Sequence, residues 1–462
     1  MSMYSFIAKN SKVPLFVQLK MAIINDIKTG KYENMQKLPS RRVLAKELGL
    51  STTTVNNAYQ ALVDEGYAIT IDRSGFFVKS NIHIEEYDDI VWEKNKNCSY
   101  NFSYNNCETI NINTILLKSF ERQLRNNKFS DLSCHGNKRG EMDFRIAIAK
   151  FLRNRRNINC QISDIFLGAG LQYLLTVIVM IFGRDKVYGF ENPTDHKMYI
   201  WLKNLGVDIR LVDVTLTSPL TPEALDEHGI DVMFTMPENQ LPTGRRMGKE
   251  ERLRLARWCR SNKYIIEVAT DGYLNYNAER YDTIFSASGG NNVIFIDSLD
   301  YTISSNTKAA FMVLSKGIID AIISKLEYYS PLITVFEQSI YQDLLNSGQV
   351  DKLIKRNNKT MKEKRDFLMS CIEASKIGDR ITFLNYDSGM NMIGIFDSEV
   401  SGAELTNAAI QNEIKIFEMN KFLLQPNHII ERNAFVFGYA GLNIAEIENA
   451  VKLLEKSWSN FK

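Results

Sequence analysis

Between residues 164 and 314 seven apolar runs recur: DIFLG, KVYGF, IRLVDV, DVMFTM, YIIEVA, VIFID and AAFMVL. Each has the length and composition of a buried strand, and several are separated by segments long enough for a helix. That alternation predicts an α/β domain with a largely parallel sheet. In such sheets ligands sit beyond the carboxyl ends of the strands. Here those ends read GAGLQ, ENPTD, MPENQLPTG, EVATDG and DSLDYT. From about Ser315 onward long helical segments mix with short strands, which predicts a smaller α+β lobe. The expected partition is a large lobe over 98–314 and a small lobe over 315–462.

At 462 residues the chain is too long for one ordinary domain, and 45% hydrophobic against 24% charged residues predicts a soluble protein with a real core. The longest apolar stretch, YLLTVIVMIFG from Tyr173, is too short to span a bilayer, and the N-terminus shows no cleavable apolar signal. A cytoplasmic protein without membrane contact is the expectation. The six cysteines (98, 107, 134, 160, 259 and 371) lack the close pairs of a zinc site, and the five histidines form no metal motif.

The net charge of +2 is unevenly divided. Residues 1–80 carry eleven Lys/Arg and six Asp/Glu, whereas NIHIEEYDDIVWE carries five acids and no Lys or Arg. A basic head followed by an acidic linker, 81–97, points to a nucleic-acid module joined to something else. In the head, Pro14 opens a helix with Leu15, Leu19, Ile23 and Ile27 at one-turn spacing, ended by Gly30. Ser40 is placed to cap a short helix with Val43, Leu44 and Leu48 inward, stopped at Gly49. Ser51 is placed to cap a second helix with Val55, Ala58, Tyr59 and Leu62 inward, ending near Gly66. Two short helices about a tight turn make a helix-turn-helix, and YAITIDRSGFFV adds a hairpin around Asp72–Gly75 that forms a wing.

The outward residues of the second helix, Ser51, Thr52, Thr53, Asn56 and Asn57, suit a major groove, where hydroxyls and amides bond base edges. Arg41 and Arg42 are placed for phosphates, and Arg73 lies at the wing tip. KLPSRRVLAKELGLSTTTVNNAYQALVDEGY followed by RSGFFV resembles the GntR-family winged helix-turn-helix. The resemblance implies operator DNA as partner. Thr52 stands where that family often has arginine, which implies a different target sequence.

A second resemblance follows. LSCHGNKRGEMDFRIAIAKFLRNRRNINCQISDIFLGAGLQYLL and MPENQLPTGRRM are similar to the fold-type I pyridoxal phosphate (PLP) transferases, in particular to the version fused behind a GntR head in MocR/GabR-type regulators. PLP chemistry needs a Schiff-base lysine, a carboxylate at the pyridinium nitrogen and donors around the phosphate. By that resemblance the lysine position is Tyr301, the pyridinium acid is Val268, and the tyrosine two residues later is Thr270. The stacking ring falls on Asp195, the phosphate-loop hydroxyl on Leu171, a later arginine on Lys308 and the carboxylate-binding arginine on Val436. Tyrosine cannot form an aldimine, so no PLP cofactor and no catalytic residue are expected. Gly170, Gln172, Asn239, Pro242, Thr243 and Gly244 remain, and Asp195, Asp271, Thr302 and Lys308 add polar groups to an effector pocket. The expectation is a homodimeric DNA-binding transcription regulator whose aminotransferase-like domain serves dimerisation or small-molecule sensing; the alternative is a PLP-dependent aminotransferase or PLP-responsive regulator.

Overall fold

The computed structural model describes residues 14–28, 31–32, 35–64, 67–71, 74–78, 98–103, 113–126, 136–269, 272–276, 282–300, 302–303, 307–315, 318–319, 325, 333–424 and 431–461. The expected acidic linker, Gly30, Gly66, Arg73, Thr270, Asp271 and Tyr301 lie outside them. The chain divides into two compact units, Met1–Lys96 and Asn97–Lys462.

The first unit has helices α1 (Leu15–Lys28), α2 (Arg41–Leu48) and α3 (Thr52–Asp64), then strands β1 (Ala68–Ile71) and β2 (Gly75–Val78), paired antiparallel as the wing. Leu19, Ile23 and Ile27 of α1 pack with Val55, Ala58, Tyr59 and Leu62 of α3 in one apolar cluster. Burying these stripes drives three short helices together, since each alone is marginal in water. The inner face of α2 is Leu44, Ala45 and Leu48. Val43 was expected inside but is 50% exposed. Four residues after the cap, its neighbour Leu44 takes the core-facing turn, which leaves Val43 outward.

In the second unit β3 (Tyr100–Asn101) precedes the seven strands β4 (Ile165–Ala169), β5 (Val187–Asn192), β6 (Asp208–Asp213), β7 (Val232–Thr235), β8 (Tyr264–Val268), β9 (Val293–Ser298) and β10 (Ala309–Val313). The seven form one sheet in the order β4-β10-β9-β8-β7-β5-β6. β6, β5, β7, β8 and β9 run parallel; β10 is antiparallel to both of its neighbours. Apolar clusters cover the sheet: Phe144, Ile148, Phe295 and Phe311 belong to one, Leu174, Ile178, Phe190 and Ile294 to another. Burial on both sides explains why these strands read as continuous apolar runs.

A long helix, Gln349–Glu373, leads to a four-stranded antiparallel sheet in the order β11-β12-β15-β14 (Ile381–Leu384, Asn391–Phe396, Ala434–Gly438, Phe417–Glu418). The remaining short strand, β13 (Ile414–Lys415), pairs parallel with β3. Phe102 is fully buried in the cluster that holds Phe437 and Trp458. The segment after the linker, expected in the large lobe, therefore sits with the small one. Its two-residue strand carries no periodicity from which a partner could be read.

Candidate DNA-reading helix and strand-end site

Ser51 is the cap of α3: its Oγ accepts from the Thr54 backbone N–H at 3.0 Å. Ser40 does the same for α2, accepting from the Val43 N–H at 3.3 Å, and Gly49 closes that helix in the left-handed region. The Tyr59 hydroxyl donates to the Pro39 carbonyl at 2.9 Å, tying α3 to the start of α2. With Ser51 committed to the cap, Thr52, Thr53 and Asn57 are the exposed polar residues of the first two turns. Asn56 is half-buried, and its Oδ1 accepts from Arg41 Nη1 at 2.5 Å. Arg41 also stands 6.0 Å from the centre of the Phe76 ring, so this arginine bridges α2, α3 and the wing. Arg42 is exposed. Lys37, which sequence reasoning missed, bridges to Phe77 of the wing and places its Nζ 5.8 Å from that ring. Only the pairing of 37 with 77 brings it there; its position before the helix gave no signal.

The strand-end residues assemble less simply. Gly170 is the cap of the helix Leu171–Phe182, at φ +87°, a conformation that favours glycine. A Cβ there would lie 3.7 Å from Cδ of Lys308, so the lysine passes this helix start. Leu171 is half-buried, and Gln172 and Lys308 are exposed. Beside Lys308, burial pushes the Asp300 carboxyl up to about 7, with the lysine opposing, and Asp300 Oδ1 has no hydrogen-bond partner. Thr302 is buried and its carbonyl accepts from Asn357 Nδ2. Asp195, expected in a pocket, instead caps the helix His196–Asn204, accepting from the Lys197 N–H at 2.9 Å. Val268 is buried among apolar neighbours that include Met236 and Ile296. Val436 is buried in β15 against Ile393.

The loop MPENQLPTG spends its polar groups on the fold. Gln240 Nε2 donates to the Pro193 carbonyl at 2.8 Å, and the Thr243 N–H donates to Gln240 Oε1 at 3.2 Å. From the small lobe, Asn385 Nδ2 donates to the Thr243 carbonyl at 2.9 Å and Asn391 Nδ2 to the Pro242 carbonyl at 3.1 Å. Asn239 is buried against Gly389, where a Cβ would come within 2.3 Å of its Nδ2. Gly244 is in the left-handed region, close to the Asn385 carbonyl. Asn239, Pro242, Thr243 and Gly244, expected to line a pocket, thus serve mainly as the seam between lobes. Sequence could not reveal this, because the partners lie some 140 residues away.

Behind this loop Glu238 is buried among three guanidinium groups: Arg252 Nη1 at 2.8 Å, Arg156 Nη1 at 3.4 Å and Arg246 Nε at 3.5 Å. Burial alone would raise its carboxyl, but Arg252, Arg156 and Arg246 hold it below the usual carboxylate range. Glu191 and Glu267 show the opposite balance. Both are buried, and burial pushes each up to about 7. Among the described residues no cluster of His, Cys, Asp or Glu could hold a metal ion, and no helix is long and apolar enough to cross a membrane.

The geometry defines a winged helix-turn-helix head joined to an α/β unit of aminotransferase-like fold. Residues 15–78 match the gntR family of bacterial regulatory proteins. The chain is 22% identical over 469 residues to an HTH-type transcriptional regulator of Bacillus subtilis, YdeL, covering 99% of this chain and all of that protein. It is 20% identical over 485 residues to the probable rhizopine catabolism regulatory protein MocR of Rhizobium meliloti, covering 97% and 95% of the two chains. The Pyrococcus horikoshii kynurenine aminotransferase superposes with a TM-score of 0.69 at 18% identity, over 80% of this chain and 93% of that one. The chain therefore carries a gntR-type head ahead of a unit with an aminotransferase fold, and it is similar over nearly its whole length to transcriptional regulators.

Proposed function

We propose that this protein is a cytoplasmic, homodimeric transcription regulator whose head reads operator DNA and whose aminotransferase-like unit senses a small molecule without PLP chemistry. What carries the DNA-reading part is α3, which holds Thr52, Thr53 and Asn57 outward on a scaffold fixed by Ser51 and Tyr59. A rigid helix with small donors and acceptors on its exposed first turns suits base-edge readout. Arg42 and Lys37 supply the sequence-independent attraction to phosphates.

Support for lost PLP chemistry comes from Val268. A pyridinium nitrogen held at this strand end needs a carboxylate partner, and an isopropyl group buried in an apolar cluster offers none. The residues do not fit the cofactor. Among the described residues, Lys308, passing Gly170, and Asp300, with an unpartnered oxygen, are groups placed to meet an effector. A ligand acts on the regulator only through unequal affinity for two arrangements of the dimer.

Incubating the full chain with PLP, reducing with borohydride and mapping peptides tests this reading. The expected result is no phosphopyridoxyl-lysine; a stoichiometric adduct on Lys308 or any other lysine overturns it. For the head, selection from a randomised duplex pool is expected to yield a defined site. In Arg42→Ala the slope of log K against log salt should fall by about one, uniformly across sequences. An unchanged slope removes Arg42 from the phosphate set.

A further inference from the structure

A cleft of about 710 Å³ is lined by none of the strand-end residues Gly170, Gln172, Asn239 and Lys308. Arg156, Arg246, Gly272 and Tyr273 line it from the large lobe, and Lys355 and Asn358 line it from the helix Gln349–Glu373. Its volume is that of a small-molecule pocket. Its floor carries a charge imbalance. Three arginines converge on Glu238, while the nearby Asp297 is engaged by the Tyr273 hydroxyl, which donates to Oδ2 at 2.5 Å.

Arg156 is the informative residue. It is 8% exposed, its guanidinium lies 4.2 Å from the centre of the Tyr273 ring, and Nη1 faces Glu238. Its Nε and Nη2 have no partner in hydrogen-bond geometry; the Tyr273 hydroxyl, committed to Asp297, supports the guanidinium only electrostatically. Those two nitrogens form one edge of the guanidinium, the edge that takes two oxygens of a carboxylate or phosphate side by side. Gly272 lies against this edge with no side chain, and a Cβ there would sit 2.4 Å from Nη2. Buried donors without acceptors, beside an excess of positive charge, are costly unless an anion completes them.

We propose that this cleft binds a small oxyanion-bearing molecule, a carboxylate or a phosphate, in a bidentate fork on Arg156, with Arg246 beside it and Lys355 at the rim. Bound there, the anion joins the large lobe to the helix Gln349–Glu373, a place from which occupancy alters how the lobes hold together. The site shares none of these residues with the strand-end pocket, so its test is independent of the PLP question.

Titration calorimetry and thermal unfolding of the full chain, with inorganic phosphate and with succinate at matched ionic strength, test the proposal. At least one probe is expected to bind saturably at one site per chain. Arg156→Lys, which keeps the charge and loses the fork, should weaken binding by about tenfold or more. Lys355→Ala, at an exposed position, should weaken it by a smaller factor with folding intact, and Gly272→Ala should block it. Phosphate alone binding identifies a phosphoryl ligand, and succinate alone a carboxylate. No saturable binding of either probe, or equal affinity in Lys355→Ala and Gly272→Ala, overturns the site.

Discussion

Helix α3 and the loop 237–245 are both rich in small polar residues, and they use them in opposite directions. On α3, Thr52, Thr53 and Asn57 face solvent, while the hydroxyls of Ser51 at the cap, of Thr54 and of Tyr59 are spent internally. In the loop, Asn239 and Thr243 are each 1% exposed, and Gln240 bonds Thr243 and Pro193. The same residue types stay open to solvent where the backbone satisfies itself, as in a helix, and serve the fold where an irregular buried backbone needs partners. Burial, not residue type, separates the two uses.

The largest effect that sharpens this contrast is expected at the foot of the loop. Glu238→Gln strands three guanidinium groups in the interior and should destabilise the protein by about 3–5 kcal/mol in chemical unfolding. Because the Glu238 carboxyl is held below the ordinary range, the unfolded state binds protons first as pH falls. Its contribution is complete above the ordinary carboxylate pKa and disappears as pH drops through the lowered value. The gap between wild type and Glu238→Gln should therefore narrow in acid; a gap that stays constant with pH breaks the ion-cluster account.

Glu191 tests the reverse sign. Its carboxyl is pushed up to about 7, so the folded state holds a proton that the unfolded state has lost between the ordinary carboxylate value and 7. Stability falls across that window as pH rises. Glu191→Gln should be more stable than wild type at pH 8, by roughly 1–3 kcal/mol, and no more stable near pH 4. Equal stability of the two proteins at pH 8 refutes the buried protonated acid.

On the α3 side, Asn57→Ala should lower discrimination between the selected site and a single-base variant by about 1–3 kcal/mol in fluorescence anisotropy, with unfolding unchanged. If stability falls instead, Asn57 belongs with the loop residues as a structural group. The smallest effect is Ser51→Ala, which should cost about 1 kcal/mol through the lost cap, with Ser51→Asp restoring it. A loss of DNA specificity without loss of stability would move Ser51 to the recognition set.

Much of the architecture was legible in the chain. The seven apolar runs became the seven strands of one sheet, because a strand buried on both sides leaves an unbroken apolar stretch. The caps Ser40 and Ser51 and the stop at Gly49 were readable, because capping depends on residues within one turn. The gntR match over 15–78 rests on the same local signals. Less legible was the face of α2: one apolar residue, Val43, was assigned inward on composition, and only the packing of Leu44 against the core turned it out. Least legible was the cluster about Glu238, whose arginines come from positions 156, 246 and 252.

The amino-acid order by itself determined the seven strands of the large sheet and the helices, caps and turn of the head. Those properties depend on periodicity and on neighbours a few bonds away. Tertiary structure alone decided that Asp195 caps a helix, that Asn239 and Thr243 close a seam and that two nitrogens of Arg156 are buried without a hydrogen-bond partner. Each of those outcomes is set by which distant backbone or side chain reaches the group first and excludes water from it, and separation along the chain carries no record of that.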